Sequence, residues 1–513
     1  MPPSAAHLYL GRPPQDRLVE HATPHAGFAA AARRRPRATW LVDLRARQTL
    51  PYGEGLRLVE RAGASLRCGP GAFVGILPSN STDSAVLILA VLRARATAVL
   101  LSPRQPDVRI AEQAARADCQ LVLDCADRRP SVACEVVEGR EVLAAEAPGA
   151  IDGEPAPDDL AVLVYTSGST AASKAVALTH YNLAVNAEAL IRHHRLGPET
   201  VALASLPLSH VNALGFTLIA VAMAGGRTIL VDEFEPRAYF AAAASHGATL
   251  ASVVPSLLTA LADVDDVPEL PRLEYFVSAA APLGAGTARQ VCERIGKRIV
   301  QGYGLSETTN FSTLMPRDLE PDEYRCVMLE SSIPPVGVPV FGNEVAVLDP
   351  GGAPVADGKT GEICMRGHNV MSGYLGDAEA TAEAFRGGWF HSGDIGRFET
   401  YAGGRRFLCI TGRAKNVVKV GGESVSLEEI ERALETLPEV VEAGAVGLPH
   451  RLLGEEVAAA VVARDATLDD RAVREALLAV LPAAHVPTRL RLVTCLPRLA
   501  NGKLDRRELA TRW

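Results

Sequence analysis

The stretch "FVGILPSNSTDSAVLILAVLRARATAVLLSP", residues 73–103, decides the fold class. A short apolar run, "FVGILP", stops at Pro78. The Ala/Leu-rich run "STDSAVLILAVLRA" follows, and a second short run, "TAVLLSP", closes the unit. Brief β-branched runs on either side of a helix-like segment read as strand–helix–strand. The pattern recurs at "CQLVLDC" (119–125), "LAVLVYTSG" (160–168), "RTILVDE" (227–233), "TLASVVP" (249–255) and "LEYFVSA" (273–279). Such alternation predicts an α/β body of layered, mostly parallel sheets with helices. The stretch "APGAIDGEPAPDD" (147–159) reads as a surface connection.

After about residue 330 the pattern changes. "VGVPVFGNEVAVLD" and "GEICMRG" are short and bounded by turns, which predicts a β-rich portion. "GRAKNVVKVGGESVSLEEIERALETL" then opens a small α+β unit that ends at Trp513. Ser426 followed by Glu429 is a capping-box signature for the helix "LEEIERALETL".

The bulk numbers narrow the function. The chain has 513 residues, 48% hydrophobic and 22% charged, too long for one compact core. A formal net charge of -8 argues against nucleic-acid partners. Nine cysteines, none in a Cys-x-x-Cys pair, predict reduced thiols rather than disulfides or a zinc cluster. The N-terminal residues lack the charged and apolar regions of a secretory signal. "LGFTLIAVAMAGG", from Leu214, is too short to span a bilayer and reads as a buried helix. These features predict a cytoplasmic protein without a membrane span.

Chemistry enters at "YTSGSTAASKAV", Tyr165–Val176. A Walker loop needs G-x-x-x-x-G-K-[ST]. Counted from Gly168, Ser173 stands at the second glycine and Ala175 follows Lys174, so that reading fails. What remains is Thr166, Ser167, Gly168, Ser169, Thr170 and Lys174, leading into a helix near Thr179. Hydroxyls and backbone N–H groups can wrap an oligophosphate, and a Ser/Thr-rich turn has the same composition. Four further segments have the same double character. In "QGYGLSETT" (301–309), Tyr303 between glycines can face a base and Glu307 can ligate Mg²⁺, or the segment is a plain turn. In "GGWFHSGDIGRF" (387–398), Asp394 in a Gly-flanked turn can accept from ribose hydroxyls or be an ordinary turn aspartate. "ITGRAKNVVKVGGESVS" carries Arg413, Lys415 and Lys419, and basic clusters usually face solvent. In "LPRLANGKLDRREL", Asn501-Gly502 signals a tight turn with Lys503 after it.

Taken together, the order and spacing of these five segments resemble the adenylate-forming superfamily, which includes acyl-CoA synthetases, adenylation domains and luciferases. The resemblance runs from about residue 30 to 510. "SLPLSHVNAL" (205–214), "SAAAPLG" (278–284), "VMSGYLGDAEATAEAF" (370–385) and "VGLPHRLLGEEVAAAVV" (446–462) match as well. It implies attack of an acid on the α-phosphorus of ATP, giving acyl-AMP and pyrophosphate, then transfer to a thiol. It divides the chain into an N-terminal ATP- and acid-binding domain, 1–412, and a mobile C-terminal domain, 413–513, hinged near Lys415.

Residue by residue, the resemblance gives Thr166, Ser167, Gly168, Ser169, Thr170 and Lys174 to the β,γ-phosphates. Glu307, with Thr170, would hold Mg²⁺, and Ser306 would contact the α-phosphate. Tyr303 and Gly304 would receive adenine beside Ala279, Ala280 and Ala281. Asp394 and Arg413 would bind ribose, and Lys503 would reach the α-phosphate and carboxylate oxygens. His210 would gate the acid pocket, lined by Asn212, Ala213, Gly302, Thr309, Asn310 and Phe311. Asn212, Thr309 and Asn310 hint at a polar or aryl acid of small to medium size. Gly421 and Gly422 would line a tunnel for a pantetheine arm, and "GGE" favours CoA over the phosphopantetheine of a carrier protein. An acyl-AMP ligase loading a carrier protein, adenylation of an unusual oxyanion, and a non-catalytic nucleotide-binding homologue are the alternatives. The chain departs from the family's TSG-[ST]-TG-x-PKG at Ala171, Ser173 and Ala175. Alanine resists positive φ, which implies a different loop path after Thr170.

Overall fold

The computed structural model describes residues 4–66, 68–146, 149–166, 173–331, 333–401, 404–420, 423–464, 470–478, 481, 485–498 and 504–513, with backbone alone at 415, 419, 423 and 424. The unit quoted above folds as strand Phe73–Leu77, helix Thr82–Arg93 and strand Thr97–Leu100, the two strands parallel and adjacent. Every residue of that helix except Asp83 is buried. A helix apolar all round belongs between two layers. Its neighbours are Thr97–Leu100 of one sheet and Thr39–Asp43 of another. Asp43 on that second sheet accepts from Thr82 N–H at 2.9 Å, so one layer caps the helix that packs on the other.

The first layer is a seven-stranded sheet. Leu160–Tyr165, Thr97–Leu100, Phe73–Leu77, Leu121–Asp124 and Glu135–Glu138 run parallel in that order. Ala175–Thr179 and Gly373–Tyr374 extend it with antiparallel pairing. The second layer has nine strands. Its parallel centre is Arg298–Tyr303, Tyr275–Ser278, Leu250–Val253, Val201–Ala204, Arg227–Leu230 and Thr39–Asp43. One hydrophobic cluster, including Leu41, Ile76, Val86, Phe216 and Phe276, fills the space between the layers. All the apolar runs quoted above contain strands, and the α/β class stands.

"LGFTLIAVAMAGG" is buried and helical, but wider than expected: Asn212–Ala220 is a π-helix continuing as Val221–Ala224 to Gly225. Such segments are frequent at functional sites. The β-rich portion is a four-stranded antiparallel sheet of Asn343–Leu348, Gly361–Gly367, Phe390–Thr400 and Arg406–Arg413. Beyond it, a five-stranded sheet with helices Leu427–Glu435 and Asp470–Leu478 encloses its own core around Val425, Ile430, Leu434, Val457 and Leu477. It touches the preceding sheet through Ser426 Oγ, which donates to the Thr411 carbonyl at 2.8 Å, and Arg432, which donates to the Ile410 carbonyl at 2.7 Å. Half of the expected capping box forms: Glu429 N–H donates to Ser426 Oγ, while the Glu429 carboxylate turns to Arg397 and His485.

One local expectation holds with an added strand, and one changes. The segment after Lys174 is a strand, Ala175–Thr179, before helix His180–His194 begins at its Thr179 cap. Lys174 therefore stands just before a strand paired antiparallel to Leu160–Tyr165. Asp394 lies inside strand Phe390–Thr400, at a register irregularity after Ile395, with Gly393 at φ +71 supplying the bend. Among the described residues, no helix is long and apolar enough to cross a membrane.

Candidate active site

Parallel strands end on one side of a sheet, and their carboxyl ends open a natural binding edge. Tyr275–Ser278 and Arg298–Tyr303 are parallel neighbours with Ser278 opposite Gln301. Their continuations, Ala279–Ala281 and Gly302-Tyr303-Gly304, thus lie side by side at that edge. Ala280 holds φ +70, a strained value for a residue with a Cβ. Gly304 is dictated by close approach: a Cβ there would collide with the Asn310 backbone carbonyl. A Cβ at Gly302 would meet the Phe311 ring at 2.5 Å.

Two short polar chains run from this edge, each across three segments. The Tyr303 hydroxyl donates to Asp394 Oδ2 at 2.7 Å, and Arg413 Nε sits 3.0 Å from Asp394 Oδ1. Asp394 and Arg413 meet because they are register partners on adjacent strands. Glu307, in the turn Ser306–Thr308, accepts from the Tyr374 hydroxyl at 2.9 Å. Lys174 Nζ lies 4.6 Å from the centre of the Tyr374 ring, within cation–π reach. Thr166 and Lys174 close the neck of their hairpin, Thr166 N–H donating to the Lys174 carbonyl and Lys174 N–H to Thr166 Oγ1.

Sequence reading gave Tyr374 no role, although it lies in the quoted "SGYLGD". Strand pairing is what brings it in. Gly373–Tyr374 adds to Ala175–Thr179 with Tyr374 opposite Val176, two residues from Lys174. Asn182 and Asn369 fix the turn between: Asn182 Nδ2 donates to the carbonyls of His368 and Val370, and Asn369 Nδ2 to that of Thr308.

The electrostatics are uneven. Enclosure by protein, and then the charge of Asp394, raise the pKa of Glu307, while its own backbone N–H, Tyr374 and Lys174 pull the other way. A carboxylate so enclosed is ionised at a cost that a divalent cation beside it would remove. The residues therefore fit Mg²⁺ at Glu307. Arg413 orients Asp394.

The acid-side positions differ. His210 is open to solvent within a recess, and crowding by the walls, with Arg104, lowers its pKa, so the ring is neutral at pH 7. Asn212 Oδ1 accepts from Ser252 Oγ at 2.9 Å, and Thr309 Oγ1 donates to the Asn369 carbonyl at 2.7 Å. Thr309 is also held at φ +68. Ala213 is fully buried. The Asn212 side-chain oxygen and the Thr309 hydroxyl are thus engaged within the fold. Asn310 is the exception. Its Nδ2 is buried without a partner, and a Cβ on Gly215 of the π-helix would stand 3.5 Å from it.

Ser306 is half-buried in its turn. Ser167, Gly168, Ser169, Thr170, Gly421, Gly422 and Lys503 lie outside the described residues, as does the side chain of Lys415.

The family models that match this chain cover Lys174, Tyr303, Glu307 and Tyr374, but not Asp394 and Arg413. The model of the AMP-binding enzyme family matches residues 28–375, and that of the AMP-binding enzyme C-terminal domain matches 429–503. A sulfoacetate–CoA ligase of Cupriavidus necator is 36% identical over 69% of this chain and 67% of its own length. A feruloyl-CoA synthase of an Amycolatopsis species is 31% identical, covering 90% of this chain and 94% of that protein. The crystal structure of ATP-bound MatB from Rhodopseudomonas palustris superposes with a TM-score of 0.82 at 28% identity, over 96% of this chain and 98% of that one. The chain belongs to the AMP-binding enzymes of the adenylate-forming superfamily.

Proposed function

We propose that this enzyme activates a carboxylic acid as its acyl-adenylate, with release of pyrophosphate, and passes the acyl group to CoA. The observation that carries the reading is the convergence of Lys174, Tyr374, Glu307, Asp394, Tyr303 and Arg413, drawn from five separate stretches, at one sheet edge. The relatives' CoA-ligase names support the thiol.

A carboxylate is a poor electrophile, and its attack on ATP brings two anions together. The site must therefore supply positive charge and hold both reactants in line. Lys174, with Thr166, Ser167, Ser169 and Thr170, takes the β,γ-phosphates through side chains and loop N–H groups. Glu307, with Thr170, holds Mg²⁺, which neutralises phosphate charge when bound. Asp394, oriented by Tyr303 and Arg413, accepts from the ribose hydroxyls. Tyr303 and Ala279–Ala281 wall the base, and Ser306 meets the α-phosphate. Lys503, brought in by a C-terminal domain (413–513) that turns about Lys415, stabilises the charge developing at the α-phosphorus. The same turn later withdraws it and presents Gly421 and Gly422 to the pantetheine arm. His210, neutral, gates the acid without repelling or trapping it. Asn310 favours an acid with a hydrogen-bond acceptor beyond its carboxylate. Nine free thiols support action in the cytoplasm.

The test is pyrophosphate release over a panel of acids, with and without CoA. The reading expects acid-dependent release and CoA-dependent thioester formation. Release that stalls with CoA but proceeds with a phosphopantetheine-bearing carrier protein would move the acceptor to the carrier. No release with any acid would leave a nucleotide-binding homologue.

A further inference from the structure

Across the four-stranded sheet from the ribose-side aspartate, three unlike donors meet at a point that the reaction does not use. Strands Gly361–Gly367 and Phe390–Thr400 pair antiparallel with Cys364 opposite His391. Cys364 Sγ lies 3.4 Å from His391 Nδ1, and Glu362 Oε2 lies 2.8 Å from the same nitrogen. Among the described residues, this is the one group of three His, Cys, Asp or Glu side chains whose ligand atoms all fall within 4.8 Å of one another.

Hydrogen-bond accounting makes the group unusual. His391 Nε2 faces the Arg386 carbonyl at 3.2 Å, which can only accept, so the proton of a neutral ring sits there. Nδ1 then points a lone pair at a carboxylate oxygen and a sulfur. That lone pair is met either by the Cys364 S–H or by a cation held between the three groups. The ring is already set for the second: a ligating histidine characteristically donates its other N–H to a carbonyl or carboxylate. The Cys364–His391 separation of 3.4 Å matches that between two ligands of one tetrahedral ion, about 3.4 Å for bonds of about 2.1 Å, while Glu362 has to draw back from its 2.8 Å contact to ligate. Cys364 is buried, while His391 and Glu362 keep 11% and 20% of their side chains exposed, leaving a way in.

A competing cation is present. Arg386 Nη2 donates to Glu362 Oε2 at 2.7 Å and its Nη1 to Glu383 at 2.9 Å. Its side chain is 45% exposed and can turn outward without losing Glu383. Glu362 Oε1, meanwhile, holds Gly393 N–H at 3.1 Å, one residue before Asp394.

We propose that Glu362, Cys364 and His391 form a site for a borderline-soft divalent cation of the zinc type, with water in the fourth position, that ties the two strands together beside Gly393 and Asp394. A mixed S, N, O set of this kind selects zinc-like ions over Mg²⁺. The site is independent of the acid activated and of the Mg²⁺ at Glu307. Burial, with the charge of Glu362, pushes the Cys364 thiol up to about 12, Arg386 opposing. Binding as thiolate therefore releases a proton, and affinity rises about tenfold per pH unit.

The experiment uses the full chain stripped by a chelator and titrated with Co²⁺. One equivalent should bring up a sulfur-to-cobalt charge-transfer band in the near ultraviolet, which Zn²⁺ then abolishes. The apparent Kd should tighten with pH as stated. Cys364→Ser should remove the band. Glu362→Gln should weaken binding at least tenfold. Arg386→Ala, lacking the competing guanidinium, should tighten it. A wild-type protein without the band, a band that survives in Cys364→Ser, or a folded Glu362→Gln with unaltered affinity overturns the proposal. The Glu362 and Arg386 variants decide it even where the serine variant fails to fold.

Discussion

The nucleotide side and the acid side of this site lie next to each other and are built by opposite means. On the nucleotide side, charged groups are paired across strands before any ligand arrives: Arg413 with Asp394, Tyr303 with Asp394, Tyr374 with Glu307. At the positions assigned to the acid, Asn212 Oδ1 accepts from Ser252, Thr309 Oγ1 donates to Asn369, and Asn310 Nδ2 is buried without a partner. In the proposed reading, reaction chemistry rests on a preorganised charge network, and acid choice on very few positions.

That contrast can be broken from the charged side first. Removing one preorganised cation costs about 10²–10³ in rate. Lys503→Ala is expected to lose that much adenylation, read as pyrophosphate exchange, with nucleotide binding by calorimetry retained; near wild-type exchange would remove Lys503 from the mechanism.

Glu307→Gln is expected to lower the same rate about a hundredfold while leaving the melting temperature unchanged or raised. The sign follows from the pKa. Glu307 is shifted upward, so the folded protein holds its proton more tightly than the unfolded chain. Its contribution to stability is present below the ordinary carboxylate pKa and is lost as pH rises through the raised value. Thermal melts of wild type and variant between acid and neutral pH should converge at the acid end. A variant less stable than wild type at neutral pH would show that Glu307 is structural.

Between the two sides stands Gly304, packed on the Asn310 carbonyl. Gly304→Ala is expected to destabilise by about 1–3 kcal/mol, measured by denaturant unfolding, and to weaken acid and ATP together. An effect on one substrate alone would mean the two walls are not mechanically joined.

On the acid side, Asn310→Leu is expected to lower kcat/KM for the preferred acid about tenfold with the KM for ATP unchanged, and to leave stability intact because the buried unmatched donor is gone. A shift in the KM for ATP would erase the distinction between the sides. Smallest is the loop. Ala171→Gly relieves a backbone preference of about 1 kcal/mol and is expected to lower the KM for ATP a fewfold; an unchanged KM would make the departures in the loop neutral.

Much of this was legible beforehand, for reasons that can be named. Strands such as Phe73–Leu77 and Leu250–Val253 are buried on both faces, so they read as continuous apolar runs. Asp394 was mistaken for a turn residue because its glycines signal a bend, and a bend inside a long strand looks the same in sequence. The helix expected near Thr179 begins there, at a true cap, whereas the strand Ala175–Thr179 before it carried no separate signal. Tyr374 had no signal of its own, since its partners Lys174 and Glu307 are 200 and 67 residues away.

The sequence by itself determined the layered α/β body, the β-rich portion, the separate C-terminal core and the set of polar residues from which the site is made, because burial and turn chemistry act over a few neighbouring residues. The tertiary structure decided which of those residues meet. Asp394 faces Arg413, and Tyr374 reaches Lys174, by strand register. Thr309 and Asn212 are neutralised, and Asn310 is left unmatched, by atoms that only the packed sheets bring within hydrogen-bond distance.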